Sequence, residues 1–181
     1  SSSHTKSLVD SLKKLKKDML VFSTLNISGG KITNKKTEIM EFEKNSNILL
    51  LTEAHFDAKK ANFKKKVFLS SFQNNDLGII MLVDKNMEIL EETIIVTGRA
   101  ISVKAQINKM IYNIFGIYGP SQSSDTIGID FYRKIFDFMN NKPSLENIVF
   151  FGDYNVDILR SKKVGTKCLL EEILDKYKLI D

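Results

Sequence analysis

The stretch "FFGDYNVDIL", residues 150–159, ends an apolar run with a glycine, an acid and an amide. A short continuous apolar run is typical of a strand buried on both faces. Gly152 lets the backbone turn or approach a neighbour closely, and Asp153 and Asn155 then present polar side chains where the strand ends. Because other apolar runs of the chain also end in polar residues, this stretch indicates both a fold and a site.

Length and composition limit the class of protein. The chain has 181 residues, which suits one domain with a full core. No apolar run approaches the roughly 20 residues needed to cross a bilayer, so we expect no membrane association. Cys168 is the only cysteine, and neither a disulfide framework nor a cysteine-based zinc site can therefore form within the chain.

Much of the positive charge lies in two lysine runs, and the net charge of the chain is +5. The N-terminal lysine run contains Lys13, Lys14, Lys16 and Lys17; the central lysine run contains Lys59, Lys60, Lys64, Lys65 and Lys66. Such runs either bind the phosphates of a nucleic acid or form solvated faces. Phe63 favours the first interpretation, because an aromatic ring inside a basic run can stack on a base.

Hydrophobic periodicity predicts a strand-rich chain with three helices. The predicted strands are 20–27, 47–53, 67–73, 78–84, 88–97, 99–107, 110–118 and 147–153. The predicted helices run from Thr33 or Asn34 to about Lys44, over 124–140, and from about Gly165 to Tyr177. The fold class is therefore α/β (α+β), with two packed, mainly antiparallel sheets flanked by helices.

Polar residues follow several of these buried strands. They are Asn26, Glu53, Tyr118, Asp153 and Asn155. Each has an ordinary structural explanation, as a turn residue, a surface acid, a packed ring or a cap. If the strands are neighbours, however, the five side chains converge at one rim. An oxygen-rich set of this kind suits Mg²⁺, whereas zinc usually takes histidine and thiolate ligands.

The order of these motifs resembles the endonuclease/exonuclease/phosphatase superfamily, and within it the endonuclease domain of LINE-type retrotransposons. The stretches that carry the resemblance are "STLNISGG", "ILLLTEAHF", "LGIIMLV", "FGIYGPS", "IVFFGDYNVD" and "KLID", which span residues 20–181. The resemblance implies a DNase I-like sandwich of two sheets and Mg²⁺-dependent cleavage of phosphodiester bonds.

The resemblance also implies roles for the five polar residues. Glu53 and Asp153 would hold the metal, and Asp153 would also orient and deprotonate the attacking water, with Asn155 beside it. Asn26 would support that water or the metal shell, and Tyr118 would contact the scissile phosphate.

One departure from the family pattern affects the expected activity. The resemblance implies a later aspartate and a C-terminal Ser-Asp-His strand, and the sequence ends at Asp181 before either. We therefore expect a basic N-terminal extension over residues 1–19 and, over 20–181, an endonuclease/exonuclease/phosphatase-like domain that lacks its last strands. We also expect weak or absent cleavage by this chain, and a protein partner that covers the sheet edge left open beside strand 20–27.

Three functional hypotheses follow. The first is a nicking endonuclease with DNA as substrate, located in the nucleus. The second is a non-catalytic component of a large ribonucleoprotein, such as a mitochondrial ribosome, that binds RNA. The third is a phosphatase acting on small or lipid phosphates, against which the lysine runs argue. All three place the protein inside the cell.

Overall fold

Eight strands and three helices form a two-sheet sandwich in the computed structural model, which describes residues 20–27, 32–54, 66–71, 78–120, 124–156 and 164–179. The strands are β1 (Phe22–Asn26), β2 (Ile48–Ala54), β3 (Lys66–Ser71), β4 (Gly78–Val83), β5 (Glu88–Val96), β6 (Ala100–Ile107), β7 (Met110–Tyr118) and β8 (Ile148–Asp153). The helices are α1 (Ile32–Asn45), α2 (Asp125–Asn140) and α3 (Val164–Lys176).

Each sheet has four strands. The first sheet has the order β1-β2-β4-β3, and the second has the order β5-β6-β7-β8. The pairs β1/β2 and β7/β8 are parallel, and the other pairs are antiparallel. The predicted arrangement of two mainly antiparallel sheets with helices outside is therefore confirmed.

Three apolar layers hold the sandwich together. The layer between the sheets takes alternate residues of the strands, among them Leu50, Met81 and Ile114. The outer face of the first sheet packs around Ile39 of α1. The outer face of the second sheet packs on α2 and α3. Successive side chains of a strand point to opposite faces of its sheet, so one strand contributes to two of these layers, as a period-two pattern predicts.

The α2 helix shows how local sequence sets an element. Ser124 lies just before it in an extended conformation, and its side chain accepts a hydrogen bond from the Ile127 amide, as an N-cap residue does. The buried positions recur at the helical spacing and bring α2 against the second sheet and α3; they are Gly128, Phe131, Tyr132, Ile135 and Met139.

The boundaries of the predicted elements agree with the observed ones to within two residues. The predicted extension over 1–19 and the N-terminal lysine run lie outside the described residues, as do Lys59, Lys60, Lys64 and Lys65 of the central run; Lys66 begins β3. Strand β1 is at one end of its sheet within the described part of the chain, and the partner expected to cover it stays a prediction. None of the described helices has the length and apolarity to cross a membrane.

Candidate active site

Four strand ends meet at one rim of the sandwich, here called the site rim. Parallel pairing brings the carboxyl ends of β1 and β2 together, with Asn26 opposite Thr52. Parallel pairing in the second sheet likewise places Tyr118 opposite Asp153 at the ends of β7 and β8. The Tyr118 hydroxyl interacts with the Glu53 carboxylate, so the strand ends of the two sheets face each other.

Glu53 reaches the site rim because β2 is irregular at its end. Leu49 and Leu51 belong to the layer that packs on α1, and strict alternation would turn Glu53 toward that same layer. Instead, the pairing of β2 with β4 shifts register between Leu51 and Ala54, and Glu53 has a φ of 53°. A bulge of this kind redirects a side chain, and it brings the half-buried carboxylate to Tyr118.

Tyr118 lies on the inter-sheet face with its ring almost fully buried. Burial raises the pKa of the Tyr118 phenol, and the neighbouring Glu53 carboxylate raises it further, whereas the Arg99 guanidinium acts in the opposite direction. The hydroxyl therefore stays protonated near neutral pH and can donate a hydrogen bond.

Asp153 is the last residue of β8 and lies beside Tyr118, the last residue of β7. Paired residues of neighbouring strands point to the same face of a sheet, so its side chain shares the inter-sheet face with Tyr118. The Asp153 carbonyl accepts a hydrogen bond from the Gly119 amide at 2.7 Å. Its carboxylate Oδ1 accepts one from the Asn155 amide at 3.1 Å, which holds the carboxylate in place.

Asn155, in the loop after β8, is held by a contact with Gly119, which follows β7. Its side-chain Nδ2 donates to the Gly119 carbonyl at 2.6 Å, and its backbone has a φ of 51°. Glu53 and Asn155 thus both occupy the left-handed region, as do four other described residues; asparagine tolerates this conformation better than glutamate does.

The backbones of Gly119 and Tyr154 approach closely, and this contact supports Asp153 and Asn155 on either side of Tyr154. A Cβ on Gly119 would lie 2.0 Å from the Tyr154 carbonyl and 2.7 Å from the Tyr132 hydroxyl. That hydroxyl donates to the Tyr154 carbonyl at 2.6 Å. Burial raises the pKa of Tyr132, with Tyr154 and Asp153 adding to the shift, so Tyr132 remains a neutral donor that anchors the loop after β8.

The donor set of the site rim fits a hard divalent cation with few protein ligands. No group of three or more acids, histidines or cysteines that could hold a metal occurs among the described residues. Mg²⁺ does not need one, because it commonly binds one or two carboxylates and keeps waters or substrate phosphates. The Thr52 hydroxyl, opposite Asn26 and next to Glu53, is buried and has no protein partner within the described residues. A buried hydroxyl of this kind calls for a water or a ligand.

The structure therefore brings together Glu53, Tyr118, Asp153 and Asn155, and it places Asn26 on the strand end next to that of Glu53. Whether the Glu53 and Asp153 carboxylates share one cation stays a prediction.

Sequence reasoning missed Arg99. Its guanidinium carbon lies 4.3 Å from the centre of the Tyr118 ring, and its Nη1 donates to the Gly119 carbonyl at 3.2 Å. One signal was available in the sequence: only three of the 27 cationic residues are arginines, and arginine is preferred where a planar cation must stack.

Comparison with known proteins gives one similar sequence and several similar folds. No family model matches the sequence. The chain is similar to the "Transposon TX1 uncharacterized 149 kDa protein" of Xenopus laevis, with 20% identity over 177 residues. The similarity covers 90% of this chain and 13% of that protein, so the chain spans a small part of that relative's length.

Solved structures with the same architecture include three nucleic-acid-related proteins. The endonuclease domain of TRAS1, a telomere-specific non-LTR retrotransposon, has a TM-score of 0.63 and 15% identity over 84% of this chain and 70% of its own. An AP endonuclease from Archaeoglobus fulgidus has a TM-score of 0.65 and 14% identity over 87% and 71%. TDP2 of D. rerio, complexed with a single-strand DNA product, has a TM-score of 0.64 and 14% identity over 82% and 64%.

These likenesses confirm the DNase I-like fold. They also confirm the resemblance to the endonuclease/exonuclease/phosphatase superfamily and to LINE-type endonuclease domains that the motifs indicated.

Proposed function

We propose that this chain, a DNase I-like sandwich with the motifs of a LINE-type endonuclease domain, hydrolyses phosphodiester bonds in nucleic acid with the help of Mg²⁺. One observation carries the proposal: Glu53, Tyr118 and Asp153, which are far apart in sequence, converge on the inter-sheet face at one rim. An acid held on a bulge, a neutral phenol and a second acid can supply a metal ligand, a hydrogen-bond donor and a general base for such a hydrolysis.

Each side chain has a role that its surroundings support. Asp153 is the general base for the attacking water: the Asn155 amide fixes one carboxylate oxygen, and a carboxylate has a second oxygen that can accept a proton. Tyr118 donates a hydrogen bond to a phosphoryl oxygen, for which its hydroxyl turns from Glu53 to the substrate; its raised pKa keeps the hydroxyl protonated. Asn155 holds the loop after β8 through the Gly119 carbonyl.

Glu53 and Asp153 are the two residues proposed to hold Mg²⁺. The ion, when bound, polarises the phosphoryl oxygen and offsets the charge that develops during in-line attack. Asn26 and the Thr52 hydroxyl, which has no protein partner among the described residues, lie opposite each other on β1 and β2 beside Glu53; they are proposed to hold the waters of the ion.

A plasmid-nicking assay with the purified chain tests the activity. We expect slow nicking of supercoiled DNA that requires Mg²⁺ and is lost in Asp153→Ala and Glu53→Gln. Asp130→Asn, an exposed acid on α2, is the control and should nick like the parent. Nicking that persists in Asp153→Ala would refute the assignment of the base.

A metal-binding measurement gives a second readout that does not depend on the rate. Mn²⁺ is a paramagnetic substitute for Mg²⁺, and we expect it to broaden the amide signals of Glu53, Asp153 and their neighbours selectively. Absence of both broadening and nicking would refute the catalytic proposal. Retained binding of single-stranded nucleic acid in that case would favour the non-catalytic hypothesis, in which the lysine runs contact phosphates.

A further inference from the structure

We propose that Arg99 is a positioning residue of the site. Its side chain holds the Tyr118 ring directly, and it holds Asn155 indirectly through the Gly119 carbonyl, which both side chains contact. This inference rests on the proposed function and extends it to a residue that no motif assigns. Arg99 lies in the turn between β5 and β6, which reaches the site rim because β6 begins beside the end of β7.

Arg99 is held from its own backbone. Its amide donates to the Val96 carbonyl at 3.0 Å, and its carbonyl accepts from the Tyr118 amide at 2.7 Å. The preceding Gly98 has a φ of 72°, a value that glycine adopts without strain. The turn therefore presents the Arg99 side chain at one fixed place next to the end of β7.

The side chain makes two contacts with the machinery. Its guanidinium stacks on the Tyr118 ring at 4.3 Å, a favourable cation–π distance. Its Nη1 donates at 3.2 Å to the Gly119 carbonyl, which also accepts from Asn155 Nδ2 at 2.6 Å. One carbonyl thus receives two donors, and a movement of Arg99 is transmitted to both Tyr118 and Asn155.

A lysine cannot reproduce this arrangement. The planar guanidinium stacks and donates sideways at the same time, whereas an ammonium is a point charge on a flexible stem. Arg99→Lys therefore keeps the charge and loses the geometry, and it separates a positioning role from a general electrostatic one. Arg133, exposed on α2, offers the matched control.

The kinetic test uses the nicking reaction. In Arg99→Lys we expect kcat to fall about 10- to 100-fold, as small misplacements of catalytic groups do, with KM for DNA unchanged. Arg133→Lys should match the parent. The double variant Arg99→Lys/Asn155→Ala should be less slow than the product of the two single effects, because both side chains act in part through the Gly119 carbonyl. Independent effects that multiply, or a change in KM alone, would overturn the positioning role.

A second measurement keeps the inference separate from the proposed function. The ¹³C ring signal of Tyr118, identified by its loss in Tyr118→Phe, should shift in Arg99→Ala, because the guanidinium that lies 4.3 Å from the centre of the ring is removed. Arg133→Ala should leave it unchanged. If the parent chain does not nick DNA, the proposed function fails, and this chemical shift still decides whether Arg99 holds the Tyr118 ring; an unmoved signal would overturn the inference.

Discussion

Replacement of Gly152 by alanine tests the part of the fold that places the proposed base. Gly152 precedes Asp153 in β8 and lies opposite Ile117 of β7. Its φ is 139°, and a Cβ added there would stand 2.0 Å from the Ile117 carbonyl oxygen. The glycine at the end of this strand therefore lets two backbones approach while the chain adopts a conformation that other residues avoid.

The cost of the substitution has two parts. Forcing alanine into this backbone region costs about 1–3 kcal/mol. The contact with a backbone carbonyl, which cannot rotate away, adds strain of about 1–3 kcal/mol, as overpacking does. The sum, about 2–6 kcal/mol, is a large fraction of the roughly 5–15 kcal/mol that stabilises a typical domain. The variant is expected to fold, with much reduced stability.

Urea denaturation followed by circular dichroism measures this loss. With a slope of about 2 kcal/mol per molar urea, the midpoint should fall by about 1–3 M. Gly116→Ala is the matched control on β7, since its added Cβ would meet the mobile ends of the Leu50 and Met81 side chains at 2.9 and 3.1 Å. We expect a clearly smaller loss there. Equal midpoints for the two variants would refute the argument from backbone geometry.

Two further stability predictions follow from the described contacts. Asp125→Ala removes the carboxylate that accepts hydrogen bonds from the Gly165 and Thr166 amides and the Thr166 hydroxyl; we expect a loss of about 2–4 kcal/mol by urea denaturation, with Asp130→Ala as a near-neutral control. Tyr132→Phe leaves the Tyr154 carbonyl without its donor and should cost about 1–2 kcal/mol near neutral pH. Because the pKa of Tyr132 is raised in the folded state, its contribution is complete below about pH 10, the pKa of an unfolded tyrosine, and is lost as pH rises further. The difference in unfolding free energy between parent and variant should therefore narrow above pH 10, and a difference that stays constant would contradict this account.

Much of the fold could be predicted from sequence because its signals are local and repeated. The run Ile48–Leu51 reads as a buried strand from its apolar residues alone, and β2 buries both of its faces. The sequence predicts that polar residues after such strands converge at one rim, and the structure shows Glu53 interacting with Tyr118; their roles stay predictions. The convergence depends on the strands being neighbours, which the sequence left open and the parallel pairs β1/β2 and β7/β8 supply.

The rest of the site depends on geometry that no local pattern encodes. The role of Arg99 arises because the β5–β6 turn lies beside the end of β7, a long-range pairing. The irregular end of β2 is equally hidden, since the strand reads as regular up to Thr52 and a one-residue shift exchanges the two faces of a strand.

That shift decides whether the site exists at all. With regular alternation, Glu53 would join Leu49 and Leu51 in the layer beneath α1, where an unpaired carboxylate is costly. With the bulge, Ala54 takes that apolar position and Glu53 turns to Tyr118. The left-handed backbone of Glu53 costs on the order of 1–3 kcal/mol, and the apolar packing of Leu51 and Ala54 on either side offsets it. The same few residues therefore complete the core and deliver the carboxylate to the site rim.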